Sequence, residues 1–248
     1  MDFAGGKYIF FADDDDLLVD SALEELFNVA ETFDADVVYT EKYFSCDEEP
    51  VPKNLDVATW SHAKSFVDEP TLETNDISER IKALLGINFH WAPWTKFVRR
   101  DLLVDNDLKF PATIVWEDIA WTFALLCTAK RFLRVPQPHY VHRDNENSMM
   151  LSDRTAEQNL IILSRSLPGT LRYIDEFMRK ADCFQKDPAL FLKILQVFAE
   201  TILSDMEHFA KGFSTKMSYE ILRREFSKAG GDCAELASYL FVKNRPVT

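Results

Sequence analysis

The sequence is poor in the residues and segments that several protein classes require. Its 248 residues contain 28 Lys and Arg against 41 Asp and Glu, which gives a net charge of −13. Nucleic-acid binding and attachment to an anionic membrane both depend on clustered basic side chains, so this balance disfavours both functions. No apolar run reaches the roughly 20 residues of a membrane-spanning helix. No apolar stretch typical of a secretory signal follows Met1.

Cysteine is scarce as well, and its spacing disfavours a zinc site. The four cysteines are far apart and none belongs to a C-x-x-C pair; they are Cys46, Cys127, Cys183 and Cys233. We therefore expect a cytoplasmic protein with reduced thiols. A peripheral position at the inner face of the membrane is the alternative location.

Apolar residues are plentiful, and their pattern predicts two regions. They make up 47% of the chain, enough for a sizeable core. A strand over Tyr8–Ala12, a helix over 21–32 and a strand over 36–43 open the chain, an order typical of α/β architecture. After Ser152 the apolar periodicity is helical throughout. We predict an α/β region over residues 1–152 and an all-α region over residues 153–248.

The remaining segments are predicted from periodicity and from turn residues. The polar, proline-containing stretch 45–75 is expected to be a loop. In the first region we further expect helices over 77–85, 99–105 and 117–129, and short strands over 108–111, 132–135 and 139–142. In the second region we expect helices over 155–181, 188–211, 215–229 and 232–242.

An acidic loop, Asp13-Asp14-Asp15-Asp16, follows the first predicted strand directly. Ligand sites of open α/β sheets lie at such carboxyl ends of strands. Carboxylates that repel one another are relieved by a hard cation such as Mg²⁺ or Mn²⁺, which also binds substrate diphosphates. Two alternatives stay open: a solvated acidic turn that precedes the next helix, and the metal-dependent site of a phosphohydrolase.

A second acidic pair, Glu117-Asp118, begins the predicted helix over 117–129. Acids in a first helical turn compensate the helix dipole, which is the simplest explanation for both. An Asp at a helix start near a metal site can also act as a general base that takes the proton of an attacking hydroxyl. The pair alone does not separate these functions.

Four blocks in order resemble the family 2 glycosyltransferases. Residues 6–18 (GKYIFFADDDDLL) are similar to the family's "GxYIxFxDxDDxL" segment, and residues 94–103 (WTKFVRRDLL) to its "WnKlyrrelL" block. Phe110-Pro111 followed by Glu117-Asp118 resembles "rFpe…ED". Residues 140–143 (YVHR) with 147–149 (NSM) resemble the "YyyR…nSim" ending. The resemblance covers roughly residues 5–150.

The resemblance implies a GT-A (Rossmann-like) fold with a mixed sheet, and inverting transfer from a nucleotide-diphosphate sugar. It implies that Asp15 binds Mn²⁺ or Mg²⁺ and that Asp13 and Asp14 lie near the metal and the nucleotide. Asp118 would be the base and Glu117 its neighbour. We also expect Lys96 and Arg143 to contact phosphate or acceptor groups. His142 either completes the metal site or is an ordinary polar residue at a strand end.

The sequence departs from the family pattern at its start, and the resemblance also implies particular binding partners. Family members normally begin with a strand-helix-strand unit that holds the nucleotide, and the sequence starts after it. We therefore expect either a fragment or a shortened homologue, and an exposed first strand that favours homo-oligomers. The expected partners are a UDP-sugar donor and a glycan or lipid-linked acceptor, with no nucleic acid. The alternative function is a non-catalytic interaction module derived from the same fold.

Overall fold

The computed structural model describes residues 4–46, 55–59, 63–143, 154–210 and 213–229. The predicted helix over 232–242 and the block 147–149 lie outside these residues. The chain forms two compact units. Unit 1 is the described part of Met1–Lys109 and Thr122–Met150, and unit 2 is the described part of Phe110–Trp121 and Leu151–Thr248.

The described strands are short. They are β1 (Tyr8–Phe10), β2 (Leu17–Leu18), β3 (Val37–Thr40), β4 (Lys42–Ser45), β5 (Val57–Thr59), β6 (Thr71–Leu72), β7 (Lys96–Arg99), β8 (Phe132–Val135) and β9 (Tyr140–His142). The helices are α1 (Ala22–Thr32), α2 (Ile77–Gly86), α3 (Arg100–Asp105), α4 (Glu117–Thr128), α5 (Ala156–Lys180), α6 (Asp182–Lys186), α7 (Pro188–Ala210) and α8 (Thr215–Ala229). None of the described helices is long and apolar enough to cross a membrane.

The strands of unit 1 build two mixed sheets. The first has the order β1-β7-β3-β8-β6, in which only the β3–β8 pairing is parallel. The second has the order β2-β9-β4-β5, in which β4 and β9 are parallel. The predicted α/β class with a mixed sheet and a helical C-terminal region is confirmed.

The core of the first sheet explains why the opening elements form where the apolar runs predict them. All four residues of β3 are buried, as expected for a strand covered on both faces. Helix α1 contributes Leu26 and Ala30, both fully buried, to a cluster with Tyr8 and Phe97. Burial of each large side chain contributes about 1.5–3 kcal/mol. Sequence periodicity is therefore sufficient for β1, α1 and β3.

The predicted strand over 36–43 and the predicted loop over 45–75 both differ from the structure, because the Glu41 side chain is buried. The strand predicted over 36–43 is interrupted at Glu41, which lies between β3 and β4 and is buried. Its carboxylate accepts hydrogen bonds from Arg134 Nε at 2.6 Å and from the Val67 N–H at 2.7 Å. The second bond attaches the stretch predicted as a loop over 45–75, which in fact contains β5 and β6.

The strand predicted over 108–111 is wrong, and a strand over 96–99 was not predicted. Asp107 adopts a left-handed conformation with φ 49°, and the Leu108 N–H donates to the Leu103 carbonyl, so the segment closes α3 instead. Strand β7 lies between β1 and β3 in the first sheet. Its Lys96 and Arg99 interrupt the apolar pattern by which a strand is recognised in the sequence. Lys96 is nevertheless fully buried in the structure, because its Nζ donates hydrogen bonds to two carbonyls.

Unit 2 contains helices α5 to α8, in which α5 packs against both α7 and α8. Thr155 and Gln158 form a capping box that fixes the start of α5. A Pro168-Gly169 pair lies in the middle of this helix. Both residues are poor helix formers, by about 3 and 1 kcal/mol relative to Ala. Tertiary packing therefore has to keep α5 continuous at this point.

Candidate functional site

The acidic loop lies beside the end of β9. The loop joins β1 to β2, and β2 pairs with β9 through Leu17–Val141 and Leu18–Tyr140. The Asp16 N–H donates to the Asp13 carbonyl at 3.3 Å, which turns the loop. Asp16 Oδ1 accepts the Arg143 N–H at 2.7 Å. The structure thus brings the acidic loop together with the segment that carries His142 and Arg143.

The buried hydroxyl of Tyr140 holds the loop in shape. It accepts the Asp13 N–H at 3.0 Å and donates to the Asp16 carboxylate. Burial, together with that acidic neighbour, raises the pKa of Tyr140 far above its usual value. The Trp94 ring stacks on the Tyr140 ring with centroids 4.8 Å apart and 8° between their planes. Neither Tyr140 nor Asp16 was singled out by the sequence for this role.

The acidic loop is electrostatically crowded. Burial raises the pKa of Asp13, the charges of Asp16, Asp15 and Asp14 raise it further, and His142 opposes them. Asp16 Oδ2 is a buried oxygen for which the described residues supply no hydrogen-bond partner. Crowded carboxylates with an unsatisfied buried oxygen fit a divalent cation chemically, because a cation would relieve both features.

The predicted metal ligands are near one another but do not form a complete protein site. Asp15 and His142 both act on Asp13 electrostatically. Among the described residues, no group of three or more His, Cys, Asp or Glu side chains is arranged to hold a metal ion. Mg²⁺ commonly binds through one or two carboxylates and takes its other ligands from water and substrate phosphates. The metal assignment of Asp13, Asp15 and His142 stays a prediction.

Aromatic rings surround His142. The centroid of its ring lies 5.6 Å from that of Trp94 and 6.1 Å from that of Tyr43. His90 belongs to the same group, 4.9 Å from Trp94. Burial, followed by the charges of Lys96 and His142, lowers the pKa of His90 to about 3, so this imidazole is neutral at pH 7.

Lys96 has a different environment from the one that phosphate binding requires. It is fully buried, and its Nζ donates to the carbonyls of His90 at 2.5 Å and Ala92 at 2.8 Å. The Phe89 ring centroid lies 4.6 Å from Nζ, a cation–π contact. These bonds hold the 3₁₀ turn Pro93–Thr95, which carries Trp94. A contact of Lys96 with phosphate stays a prediction.

The Glu117-Asp118 pair begins α4, as its position in the sequence predicts. The first five residues of this helix, up to Trp121, belong to unit 2, and the rest belong to unit 1. Asp118 Oδ1 accepts the Ile119 N–H at 2.7 Å. Burial raises the pKa of Glu117, and the charge of Asp118 adds to that shift. Glu117 Oε2 is buried with no hydrogen-bond partner in the part of the chain that the structure describes. The raised pKa thus belongs to the residue that the sequence assigned as the neighbour of the base.

Trp116, directly before the pair, was predicted to precede a helix but not to be strained. Its φ of 64° is left-handed, and its side chain is buried. Its indole Nε1–H donates to Asp205 Oδ2 at 2.9 Å. Asp205 lies 89 residues away on α7, and nothing in the local sequence indicates this contact. The acidic loop belongs to unit 1 and the Glu117-Asp118 pair to unit 2, and their approach to one another stays a prediction.

Comparisons with known proteins give a weak structural likeness and no sequence match. No protein-family model and no curated protein matches the sequence. The structure is similar to S. aureus TarS residues 1–349 in complex with UDP-GlcNAc, with 17% identity, a TM-score of 0.48, and coverage of 98% of this chain and 66% of that one. The corresponding UDP complex has 17% identity, a TM-score of 0.43, and coverage of 97% and 65%. The chain therefore spans just under two thirds of TarS 1–349, and at these TM-scores the likeness carries no argument about activity.

Proposed function

We propose that the chain is an inverting glycosyltransferase, or a part of one. It moves a sugar from a nucleotide-diphosphate donor, expected to be a UDP-sugar, to a hydroxyl of a glycan or lipid-linked acceptor. The observation that carries the proposal is the acidic loop held beside the end of β9 by Tyr140 and the Arg143 N–H, in which Asp16 Oδ2 is buried without a hydrogen-bond partner among the described residues. Burial, and then the charges of the neighbouring carboxylates, raises the pKa of Asp13 in this loop, while His142 opposes the shift. The ordered sequence blocks that resemble family 2 glycosyltransferases support the same function.

Donor binding is assigned to unit 1. Asp15, with Asp13 and His142, would hold Mn²⁺ or Mg²⁺, which neutralises charge on the departing diphosphate. Asp13 and Asp14 lie on the nucleotide side of the loop in this proposal, and Arg143 contacts phosphate. Tyr140 and Asp16 keep the loop in one conformation before the donor arrives, because their hydrogen bonds are already present in the structure.

Proton transfer is assigned to the Glu117-Asp118 pair. Asp118 accepts the proton of the acceptor hydroxyl, whose oxygen then forms the new bond to the anomeric carbon. The bond from that carbon to the diphosphate breaks, and its electron pair leaves with the diphosphate. Attack from the face opposite the leaving group inverts the anomeric centre. Glu117, whose pKa is raised by burial, takes part as the adjacent proton-holding group.

The first test is calorimetric titration of the chain with UDP and with UDP-GlcNAc, each with and without Mn²⁺. We expect binding that needs Mn²⁺ and that weakens at least about tenfold in Asp15→Asn, because one charged metal ligand is lost. Glu24→Gln is the matched control, since it removes one exposed carboxylate from the same unit. It should leave the affinity unchanged.

The alternatives give different results in the same experiments. Nucleotide binding that is absent, or equal in Asp15→Asn and in the wild type, would contradict the proposal. Metal-dependent hydrolysis of a simple phosphate ester without sugar transfer would indicate a phosphohydrolase. Sugar transfer that survives unchanged in Asp118→Asn would remove this residue from the proposed chemistry.

A further inference from the structure

The turn that leads into Glu117 and Asp118 is held by the helical region at three points. The Val115 N–H donates to Ser166 Oγ on α5 at 3.3 Å. The Trp116 indole donates to Asp205 on α7 at 2.9 Å. Thr113 Cγ2 lies only 2.7 Å from the place where a Cβ on Gly169 of α5 would be. All three contacts lie within unit 2.

The close approach at Gly169 explains an otherwise unfavourable choice in α5. A Pro-Gly pair in the middle of a long helix lowers its intrinsic stability. Here any side chain at position 169 would displace Thr113. Glycine at position 169 therefore lowers the stability of α5, but it leaves room for the Thr113 side chain in the segment that precedes Trp116.

The backbone at Trp116 also points to an imposed conformation. A bulky residue at φ 64° is strained, and such strain persists only where the surroundings over-determine it. The hydrogen bond to Asp205 fixes the indole, and the bond from the Val115 N–H to Ser166 fixes the Ile114–Val115 peptide. The next two residues of the chain are Glu117 and Asp118, so the direction of their side chains follows from this turn.

We propose that α5 and α7 act as positioning elements for the Glu117-Asp118 pair, through Ser166, Gly169 and Asp205. The helical region thereby has a role in the reaction without touching the substrate. The function of the carboxylates in this statement rests on the proposed glycosyltransferase activity. The mechanical part, that these three residues hold the turn, stands on the contacts alone.

The test compares backbone hydrogen exchange over residues 113–120 in the full chain and in five variants. We expect exchange about tenfold faster in Asp205→Leu and in Gly169→Ala, because each removes or displaces one support of the turn. Asp205→Asn keeps an acceptor for the indole and should stay near the wild type. The double variant Gly169→Ala/Thr113→Ala removes the clashing methyl group and should restore slow exchange. Gly86→Ala is the control, because a Cβ at Gly86 meets nothing within 4 Å.

Kinetic measurements on the same variants separate positioning from general stability. In Asp205→Leu we expect a fall in kcat for sugar transfer with an unchanged KM for the nucleotide sugar, and recovery in Asp205→Asn. Unchanged exchange in both Asp205→Leu and Gly169→Ala would overturn the proposal, and so would faster exchange with a wild-type kcat. If the wild-type chain transfers no sugar, the proposed activity fails, and the exchange data alone decide whether the helices hold the turn.

Discussion

Among the described residues, each unit buries one glutamate almost completely, and the pKa values of the two carboxyls shift in opposite directions. Glu41 in unit 1 is 3% exposed and Glu225 in unit 2 is 1% exposed. Burial raises the pKa of Glu41, although Arg134 and the Val67 N–H work against it. Burial would raise the pKa of Glu225 too, but hydrogen bonds from Arg165, Arg224 and Lys228 outweigh it and lower this pKa to about 2.

The difference lies in where the cations are. The Arg134 side chain is itself buried, with 11% exposed, and it is shared between Glu41 and Glu73. The three cations around Glu225 are 51–58% exposed and keep much of their hydration. A buried carboxylate is therefore stabilised when its cationic partners remain hydrated. When the cation is buried as well, both the carboxylate and the cation lose their hydration, and the stabilisation is smaller.

Breaking the buried pair in unit 1 should have the largest effect on stability. Arg134→Met leaves Glu41 and Glu73 without their cation, and we expect a loss of about 3–5 kcal/mol in the free energy of unfolding at pH 7. Urea denaturation followed by circular dichroism measures this loss. The double variant Arg134→Met/Glu41→Leu removes both charges and should recover most of it. A single variant within about 0.5 kcal/mol of the wild type would contradict this account of Glu41.

Removing the carboxylate in unit 2 should have a smaller effect that depends on pH. For Glu225→Gln we expect a loss of about 1–2 kcal/mol at pH 7, below the value that the full pKa shift would give, because the partners are half exposed. The folded-state pKa is depressed, so this contribution is complete above about pH 4.5 and is lost as the pH falls toward 2. Unfolding experiments at pH 7, 4 and 3 should show the two proteins converging.

Glu41→Gln is a control in which the change in stability with pH should have the opposite sign to that of Glu225→Gln. The folded-state pKa of Glu41 is raised, so its titration favours the folded state at low pH and this contribution is lost as the pH rises. Relative to the wild type, Glu41→Gln should therefore become more stable as the pH increases from acid to neutral. Parallel pH profiles for Glu41→Gln and Glu225→Gln would show that the two sites do not differ as described.

Removing one exposed cation from the unit 2 cluster should have the smallest effect. Arg165→Ala leaves Arg224 and Lys228 on Glu225, and exposed ion pairs contribute little. We expect a loss of about 0.5 kcal/mol or less in the free energy of unfolding, measured by urea denaturation, and the difference should shrink in 1 M NaCl. A loss as large as that of Arg134→Met would show that the ion pairs around Glu225 and around Glu41 contribute equally to stability, which would contradict the comparison.

The elements that sequence patterns predicted correctly are those whose signal is local. Strand β1, helix α1 and strand β8 coincide with apolar runs or helical periodicity that need no distant partner. Strand β7 was not predicted, because Lys96 is polar in the sequence and becomes a core residue only through carbonyls elsewhere in the fold. The break at Glu41 likewise depends on Arg134, 93 residues away.

The same limit applies to the candidate site. The acidic loop and the Glu117-Asp118 pair were singled out by their positions, after a predicted strand and at a predicted helix start, together with the ordered sequence blocks to which they belong. The residues that hold them, Tyr140 and Asp205, act through hydrogen bonds to positions 127 and 89 residues away. Tyr140 belongs to the block 140–143, but nothing in that block indicates a bond to the acidic loop, and the sequence around Asp205 reads as an ordinary helix.

The grouping of residues 110–121 with the helices has a consequence for how the chain is made. This segment leaves the ribosome before α5 and α7, the helices that contact it, have been synthesised. At about 5–20 residues per second, the nascent chain waits several seconds before Asp205 can reach Trp116. During that interval Phe110, Trp116 and Trp121 lack the helices of their own unit, so we expect nascent chains arrested near residue 150 to bind chaperones and released full-length chains not to.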